Sequence, residues 1–262
     1  MRSYLFTILA ICTLTGAAQN CSELFKQGVN HINNKEYSEA AQVLEQTAVL
    51  AGEGVDFGIL VNLAYSQLMT GKPEKAVANY SKALELRPKE YEVLFQRANA
   101  YLMLKRTDKA IEDCNSIIKA QPENCDALLT LAQAYSENLE FEKAKEQFVR
   151  VITLAPHNND AKLGLALLYQ KDKKYNEALI LLELMIEECP NCANLYIARS
   201  DIEREMGQHE LALLDIDKAL ELCPDNAEYH TLKAILYEKL GNKEAAQKSR
   251  NAAVSLKSRY GF

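Results

Sequence analysis

The sequence predicts an all-α protein built from about seven tandem helical hairpins, because three series of residues recur at the same constant interval. The first series consists of the prolines Pro88, Pro122, Pro156, Pro190 and Pro224. The second consists of Ala76, Ala110, Ala144, Ala178, Ala212 and Ala246. The third consists of the small residues Ala64, Ala98, Ala132, Ala166, Ser200 and Ala234. Agreement among three independent series indicates a repeated supersecondary element.

Each repeat carries the apolar pattern of two amphipathic helices joined by a short turn. One repeat shows it in Leu128, Leu131, Ala132 and Tyr135, followed by Phe141, Ala144, Phe148 and Val151. The small residues suit helices that cross closely, since a larger side chain would force the two backbones apart. The proline ends the second helix, because it has no N–H to donate and disfavours helical geometry at the preceding residue.

The repeat from Cys125 to Asn158 resembles the tetratricopeptide repeat, whose pattern of about 34 residues has apolar, small and aromatic positions and a terminal proline. The matching residues are Leu128, Leu131, Ala132, Tyr135, Ala144, Phe148 and Pro156. Repeats of this kind begin near residues 21, 57, 91, 125, 159, 193 and 227, so the resemblance covers nearly all of residues 19–262 and implies a right-handed α-solenoid. The first junction departs from it, because Gly28 lies farther from Ala64 than Ala64 lies from Ala98.

Residues 1–18 have the pattern of a cleaved secretory signal peptide. Arg2 gives a positive start, Leu5 to Leu14 form an apolar run, and Gly16 to Ala18 supply the small residues of a cleavage site. The run is too short to span a bilayer, which needs about 20 residues. A lipid anchor is disfavoured, since neither Cys12 nor Cys21 follows a small residue. We therefore expect cleavage near Ala18 and a periplasmic or secreted protein of bacterial type, without stable membrane insertion.

The charge and the remaining motifs argue against several functional classes. The net charge of -6 offers no clustered positive surface for nucleic acid. The four histidines lack metal-ligand spacing to one another or to cysteine, and no phosphate-binding loop or nucleophile elbow is present. The sequence therefore predicts no catalytic residue, no metal site, no cofactor and no enzymatic activity.

The segment Cys189-Pro190-Asn191-Cys192 is the one motif that suggests covalent chemistry, because a C-x-x-C pair can exchange disulfides. Redox motifs of this spacing usually lie in a thioredoxin-like βαβ setting, whereas Pro190 here is the helix-ending proline of its repeat. A local disulfide and a pair of free thiols both remain open. A thiol-redox or cysteine-metal protein that uses Cys189, Cys192 and Cys223 is the alternative function, with Cys223 one repeat beyond Cys189.

The resemblance implies a concave groove that binds a peptide or a partner protein, and hence a scaffold or adaptor, which we place in a cell-envelope complex. The family's groove for a C-terminal carboxylate combines Lys or Arg with Asn. Asn62 and Asn99 fit that pattern, but Glu92 and Gln96 stand where cations are expected. Capture of a chaperone tail is therefore disfavoured.

The predicted partner site lies on the first helices of the first three hairpins, where residues between the packing positions form an apolar series edged by amides. Its members are Phe25, Val29, Val61, Asn62, Tyr65, Met69, Phe95, Asn99 and Met103. Aromatic and methionine side chains adapt well to peptide partners. The corresponding C-terminal positions are more acidic and are the alternative site, with Asp160 and Asp201 among them. A second interpretation is that Phe25, Val61 and Phe95 are half-buried between hairpins.

Overall fold

The computed structural model describes residues 16–260, which contain 14 α-helices and one 3-10 helix and no strand. The features predicted for Arg2 and for Leu5 to Leu14 lie outside the described residues. The helices are α1 (Gly16–Asn33), α2 (Tyr37–Ala51), η1 (Gly52–Gly54), α3 (Phe57–Met69), α4 (Pro73–Leu86), α5 (Tyr91–Met103), α6 (Thr107–Ala120), α7 (Cys125–Glu137), α8 (Phe141–Leu154), α9 (Asn159–Lys171), α10 (Tyr175–Glu188), α11 (Ala193–Glu205), α12 (His209–Leu222), α13 (Ala227–Lys239) and α14 (Lys243–Tyr260).

The chain divides into two compact units, with the division between Gln147 and Phe148. In the N-terminal unit, consecutive helices from α1 to α7 pack against each other. In addition, α1 contacts α3, α3 contacts α5, and α5 contacts α7. In the C-terminal unit the helices from α9 to α14 pack against their neighbours in the same way. This arrangement confirms the all-α helical repeat fold.

The small-residue positions lie where the helices pack most closely. Ala64, Ala98 and Ala132 on the first helices are 0 % exposed, and so are Ala76 and Ala110 on the second helices. A methyl group is the largest side chain that such crossings accept without moving the backbones. The alanine positions of the sequence therefore mark where the helices of these hairpins pack against each other.

Prolines and turn residues that recur in the repeat set the helix ends and the turns inside the hairpins. Helices α4, α6, α10 and α12 each end two residues before their proline, as proline chemistry requires. The turn inside each hairpin places one residue at positive φ, which is Gly71, Gly207 or Gly241 in three hairpins. Lys35, Lys105, Leu139 and Lys173 occupy the same position at φ of 56 to 62°, a conformation that is less favourable for side chains with a Cβ.

Capping side chains start several of the first helices. Asn124 Oδ1 accepts a hydrogen bond from the backbone N–H of Ala127 at 3.0 Å, and Asp56 Oδ1 accepts one from Ile59 at 2.9 Å. Asn158 and Asn226 make equivalent bonds at the starts of α9 and α13. Glu90 holds the same position before α5 and makes no side-chain cap. At the first junction, the extra residues form η1, with Gly52 at φ of 56°.

The capping bond gives a direct test of the repeat. We expect Asn124→Ala to lower the free energy of unfolding by about 1 kcal/mol, because an alanine cannot accept from the first turn of α7. Chemical denaturation followed by circular dichroism measures the loss. Glu90→Ala is the matched control, since Glu90 makes no cap, and it should change stability by a few tenths of a kcal/mol at most. An equal loss in both variants would contradict the capping role.

Candidate functional site

The structure buries four of the nine residues predicted to line the partner groove. Phe25 and Val29 belong to an apolar cluster with Leu44 of α2 and Ile59 and Leu63 of α3. Phe25 and Val29 therefore fill the space between neighbouring helices instead of facing a partner.

Val61 and Asn62 are buried on α3. Val61 lies in the cluster that joins α3, α4 and α5, and Asn62 donates a hydrogen bond from Nδ2 to the carbonyl of Gly58 at 2.8 Å. The prediction of an accessible side chain is thus wrong for four positions: Phe25, Val29, Val61 and Asn62. Phe25, Val29 and Val61 are buried because they pack against residues of adjacent helices, and the buried amide of Asn62 is satisfied within its own helix.

The other five predicted residues retain exposed area and define a surface that we call the first-helix surface: Tyr65, Met69, Phe95, Asn99 and Met103. Met69 and Met103 are 48 % and 55 % exposed and occupy equivalent positions at the ends of α3 and α5. Tyr65, Phe95 and Asn99 are half-buried. This surface therefore offers soft apolar side chains beside one amide.

Tyr65 is held by a second tyrosine at the start of α2. The rings of Tyr37 and Tyr65 meet edge to face, with centroids 5.9 Å apart. Burial, and after it a hydrogen bond with Tyr37, raise the pKa of Tyr65. The ring of Tyr65 is thus positioned by contact before any partner arrives, which reduces the entropy that binding would cost.

Two arginine–aspartate pairs, each with a buried aspartate and a half-buried arginine, connect the helices of a hairpin, and sequence reasoning missed both. In the N-terminal unit Arg97 of α5 donates from Nε and Nη2 to the two carboxylate oxygens of Asp113 of α6, at 2.8 and 2.7 Å. Ser81 accepts from Nη1 of Arg97 at 3.0 Å. The hydrogen bond to Asp113 raises the pKa of Arg97. Both partners are desolvated together, so the loss of either one would leave an unpaired charge inside the hairpin.

The C-terminal unit repeats this pair. Arg199 of α11 donates from Nε and Nη2 to Asp215 of α12, with both distances at 2.7 Å. Arg199 and Asp215 occupy the positions of Arg97 and Asp113 three repeats later. Alignment of the repeats could therefore have found the pair, because an arginine on the first helix of a hairpin and an acid on the second occur twice at the same spacing and in register.

The cysteines differ sharply in environment. Cys114 is fully buried, and burial followed by the charge of Asp113 raises the pKa of its thiol to about 12, so it serves as packing. Cys189 and Cys192 form a disulfide, and both line a cavity of about 680 Å³ in the C-terminal unit. Cys223 is exposed and lines the same cavity. The structure therefore brings the three cysteines of the alternative hypothesis to one cavity.

Neither a metal-ligand cluster nor a membrane-spanning helix occurs in the part of the chain that the structure describes. Among the described residues, no group of three or more His, Cys, Asp or Glu side chains is arranged to hold a metal ion. Within residues 16–260, no helix combines the length and the apolar character that a membrane crossing requires.

Glu203 of α11 is a buried acid beside the Arg199–Asp215 pair. It is 8 % exposed, and its Oε2 atom accepts no hydrogen bond from the described residues. Desolvation, and after it the charge of Asp215, raise the pKa of Glu203 to about 7, although Arg199 opposes the shift. The folded protein therefore holds a proton on Glu203 at pH values where the unfolded chain has lost it.

This raised pKa has a consequence for stability. Between the ordinary value of 4.5 and about 7 the folded state binds more protons than the unfolded state, so the contribution of Glu203 to stability falls as pH rises through that window. We expect the stability of Glu203→Gln relative to the wild type to be higher at pH 8 than at pH 5, because glutamine has no charge to bury. Urea unfolding at both pH values measures this difference. Glu187→Gln, an exposed change on α10, is the control and should leave the pH dependence unaltered. A Glu203→Gln difference that is equal at pH 5 and pH 8 would refute the assignment.

Solved structures with similar architecture support the repeat fold. A tetratricopeptide repeat protein from Parabacteroides merdae superposes with a TM-score of 0.77 at 25 % identity, covering 91 % of this chain and 93 % of that one. A thermophilic tetratricopeptide repeat protein of Thermus thermophilus gives a TM-score of 0.57 at 19 % identity over 69 % of this chain and 98 % of that chain, which shows the fold alone.

Similarity to proteins of known role is more local. The Photosystem I assembly protein Ycf3 of Prochlorococcus marinus is 36 % identical over 67 residues, which is 25 % of this chain. The match spans 39 % of that relative's length.

Family models identify the repeats themselves. Three models, each described as tetratricopeptide repeat, match residues 61–124 and 129–191, residues 193–226, and residues 216–248. Together these ranges cover more than half of the chain, and they include helices from both compact units. Proteins of this kind generally mediate protein–protein interaction and are generally not enzymes. The chain belongs to the tetratricopeptide repeat family.

Proposed function

We propose that this chain is an exported scaffold or adaptor that binds a peptide or a partner protein through the first-helix surface, within a cell-envelope complex. The observation that carries the proposal is the exposure of Met69 and Met103 at equivalent positions, next to the half-buried rings of Tyr65 and Phe95. Apolar area in contact with water is costly, and a partner that covers it gains the corresponding free energy.

The chemistry of the surface suits a short apolar or amphipathic segment. Methionine side chains adjust to irregular shapes, and Tyr65 offers a positioned ring with a hydroxyl group. The Oδ1 atom of Asn99 accepts a hydrogen bond of 3.5 Å from Thr130 Oγ1. Asn99 lies on the same helix as Phe95 and Met103. Local similarity to a protein named for the assembly of photosystem I is consistent with a role in holding other proteins.

The acidic positions of the C-terminal unit are weaker candidates for the partner site. Asp201 is already paired with Arg204 at 3.0 Å, and Gln170 donates to Glu205 at 2.9 Å. Asp160 is exposed. A basic partner would have to compete with these internal contacts, whereas the first-helix surface presents Met69 and Met103 directly.

Substitution of the first-helix surface tests the binding site. We expect Tyr65→Ala and Met103→Ala each to weaken partner binding by about 1 kcal/mol or more, as truncation of an interface anchor does. The partner is first recovered by affinity purification from native envelopes, and binding of each variant is then measured by calorimetry. Leu214→Ala is the matched control, because Leu214 is 65 % exposed on α12 of the C-terminal unit. Thermal unfolding checks that each variant retains its fold.

The same experiment can place the site elsewhere. If Tyr65→Ala and Met103→Ala leave binding intact while Asp160→Lys and Asp201→Lys abolish it, the partner binds the acidic positions and the proposal is wrong.

Export makes a separate prediction. Cleavage after the small residues at Gly16 to Ala18 should leave a mature protein that begins near Gln19. N-terminal sequencing of the protein from fractionated cells measures this directly. Recovery of Met1 on the exported protein, or of a lipid on Cys21, would contradict the proposed processing.

A further inference from the structure

The link between α10 and α11 carries a disulfide that spans two helix ends. Cys189 is the C-terminal cap of α10, and Cys192 is the N-terminal cap of α11. Their Cα atoms are 5.6 Å apart, and both side chains are half-buried. One sulfur thus lies at the negative end of a helix dipole and the other at the positive end of the next.

Cys192 occupies a position that other hairpins use for helix capping. Asp56, Asn124, Asn158 and Asn226 stand in that position and accept hydrogen bonds from the first turns of their helices. At Cys192 no side-chain atom accepts such a bond. The first turn of α11 therefore presents backbone N–H groups without a side-chain acceptor, and a thiolate on Cys192 would supply one.

The two cysteines are consequently unequal as leaving groups. Negative charge on Cys192 is favoured by the N-terminal end of α11, whereas charge on Cys189 meets the carbonyl end of α10. Glu188 precedes Cys189 and adds negative charge there, although Lys162 pairs with it at 2.7 Å. Cleavage of the disulfide with the electron pair on Cys192 is therefore the favoured direction.

The cavity gives an incoming thiol access to the disulfide. Its volume is about 680 Å³, and Leu163, Met185 and Leu195 supply apolar walls beside the two sulfurs. The titratable groups that line it or pair with its acids are His157, Asp160, Lys162, Glu188, Cys223 and Tyr229. Both half-cystines line this cavity and are half-buried, so a small thiol can approach the disulfide from it.

We propose that the Cys189–Cys192 disulfide is a thiol–disulfide exchange site that accepts a small thiol or a cysteine-containing peptide. The incoming thiolate attacks Cys189 Sγ, a mixed disulfide forms there, and the original S–S bond breaks with its electron pair on Cys192. A second thiolate then attacks the sulfur of the incoming molecule in that mixed disulfide. This second attack releases an external disulfide and leaves Cys189 as a thiolate. In sum, two external thiols are oxidised and the protein disulfide is reduced to two thiols.

This site is independent of the first-helix surface, because it lies wholly in the C-terminal unit. Loss of partner binding in the Tyr65→Ala protein would therefore leave the exchange reaction unchanged, and loss of exchange would leave partner binding unchanged.

Trapping identifies the sulfur that is attacked. The full chain in its oxidised form is mixed with limiting reduced glutathione, and in a second arm with a cysteine-containing peptide, and both are quenched with N-ethylmaleimide. Peptide mass spectrometry should find the mixed disulfide on Cys189 and the maleimide on Cys192. A mixed disulfide mainly on Cys192, or a Cys189–Cys192 disulfide that stays unreacted, would overturn the proposal. A comparison of the two arms shows which source of thiol reacts faster.

Single thiols test the polarity of the two helix ends. In Cys189→Ala, we expect Cys192 to have a pKa below the ordinary thiol value of about 8.5, and in Cys192→Ala we expect Cys189 to titrate at or above it. Rates of iodoacetamide alkylation against pH measure both values, and a difference of one pKa unit gives a roughly tenfold larger thiolate fraction. Cys125→Ser in the otherwise unchanged chain is the control for the trapping reaction and should exchange like the wild type.

Denaturant provides the remaining control. In guanidinium chloride the helix ends are absent, so the two single-thiol variants should titrate together. The proposal fails if the order of the two pKa values is reversed in the folded protein or if the difference persists after unfolding.

Discussion

The close crossing of helices at the alanine positions is the constraint on which the other features of this protein depend. Ala64, Ala98 and Ala132 are completely buried, and a side chain larger than a methyl group at a close helix crossing forces the two backbones apart. Because that spacing recurs once in every repeat, the neighbouring positions on each helix recur with it, including the caps, the turns and the exposed edges. A larger side chain at one crossing would shift every contact that its two helices make.

Within this frame, each repeated position can hold either a structural or a chemically active residue. The position before a first helix holds the capping residues Asp56, Asn124, Asn158 and Asn226, and in one hairpin it holds Cys192. The backbone geometry stays almost the same, but the group offered to the helix end changes from an amide or carboxylate to sulfur. A repeat architecture can thus acquire a reactive pair when cysteines replace the residues at two adjacent helix termini.

The arginine–aspartate pairs add directional contacts to hairpins that otherwise pack through apolar residues. The Arg97–Asp113 and Arg199–Asp215 pairs each join the two helices of a hairpin by two parallel hydrogen bonds. A shift of one helix along the other would break both bonds and leave a buried aspartate without its partner, so the pair favours one alignment of the helices. The Oε2 atom of Glu203 accepts no such hydrogen bond from the described residues, and desolvation of this carboxyl raises its pKa.

The amino-acid sequence by itself determined the helical hairpins, their period, their small-residue crossings and their proline ends, because each depends on local backbone chemistry that repeats in register. It also identified Cys189 and Cys192 as a motif with chemical potential. Only the tertiary structure decided which first-helix residues reach the surface: Phe25, Val29, Val61 and Asn62 proved to be buried, whereas Met69 and Met103 proved to be exposed. Helical periodicity gives the direction of a side chain from its own helix, but the exposure of that side chain depends on how closely the neighbouring helices approach. The same reason kept the cavity at Cys223 out of reach of sequence reasoning, since it arises from contacts between different helices.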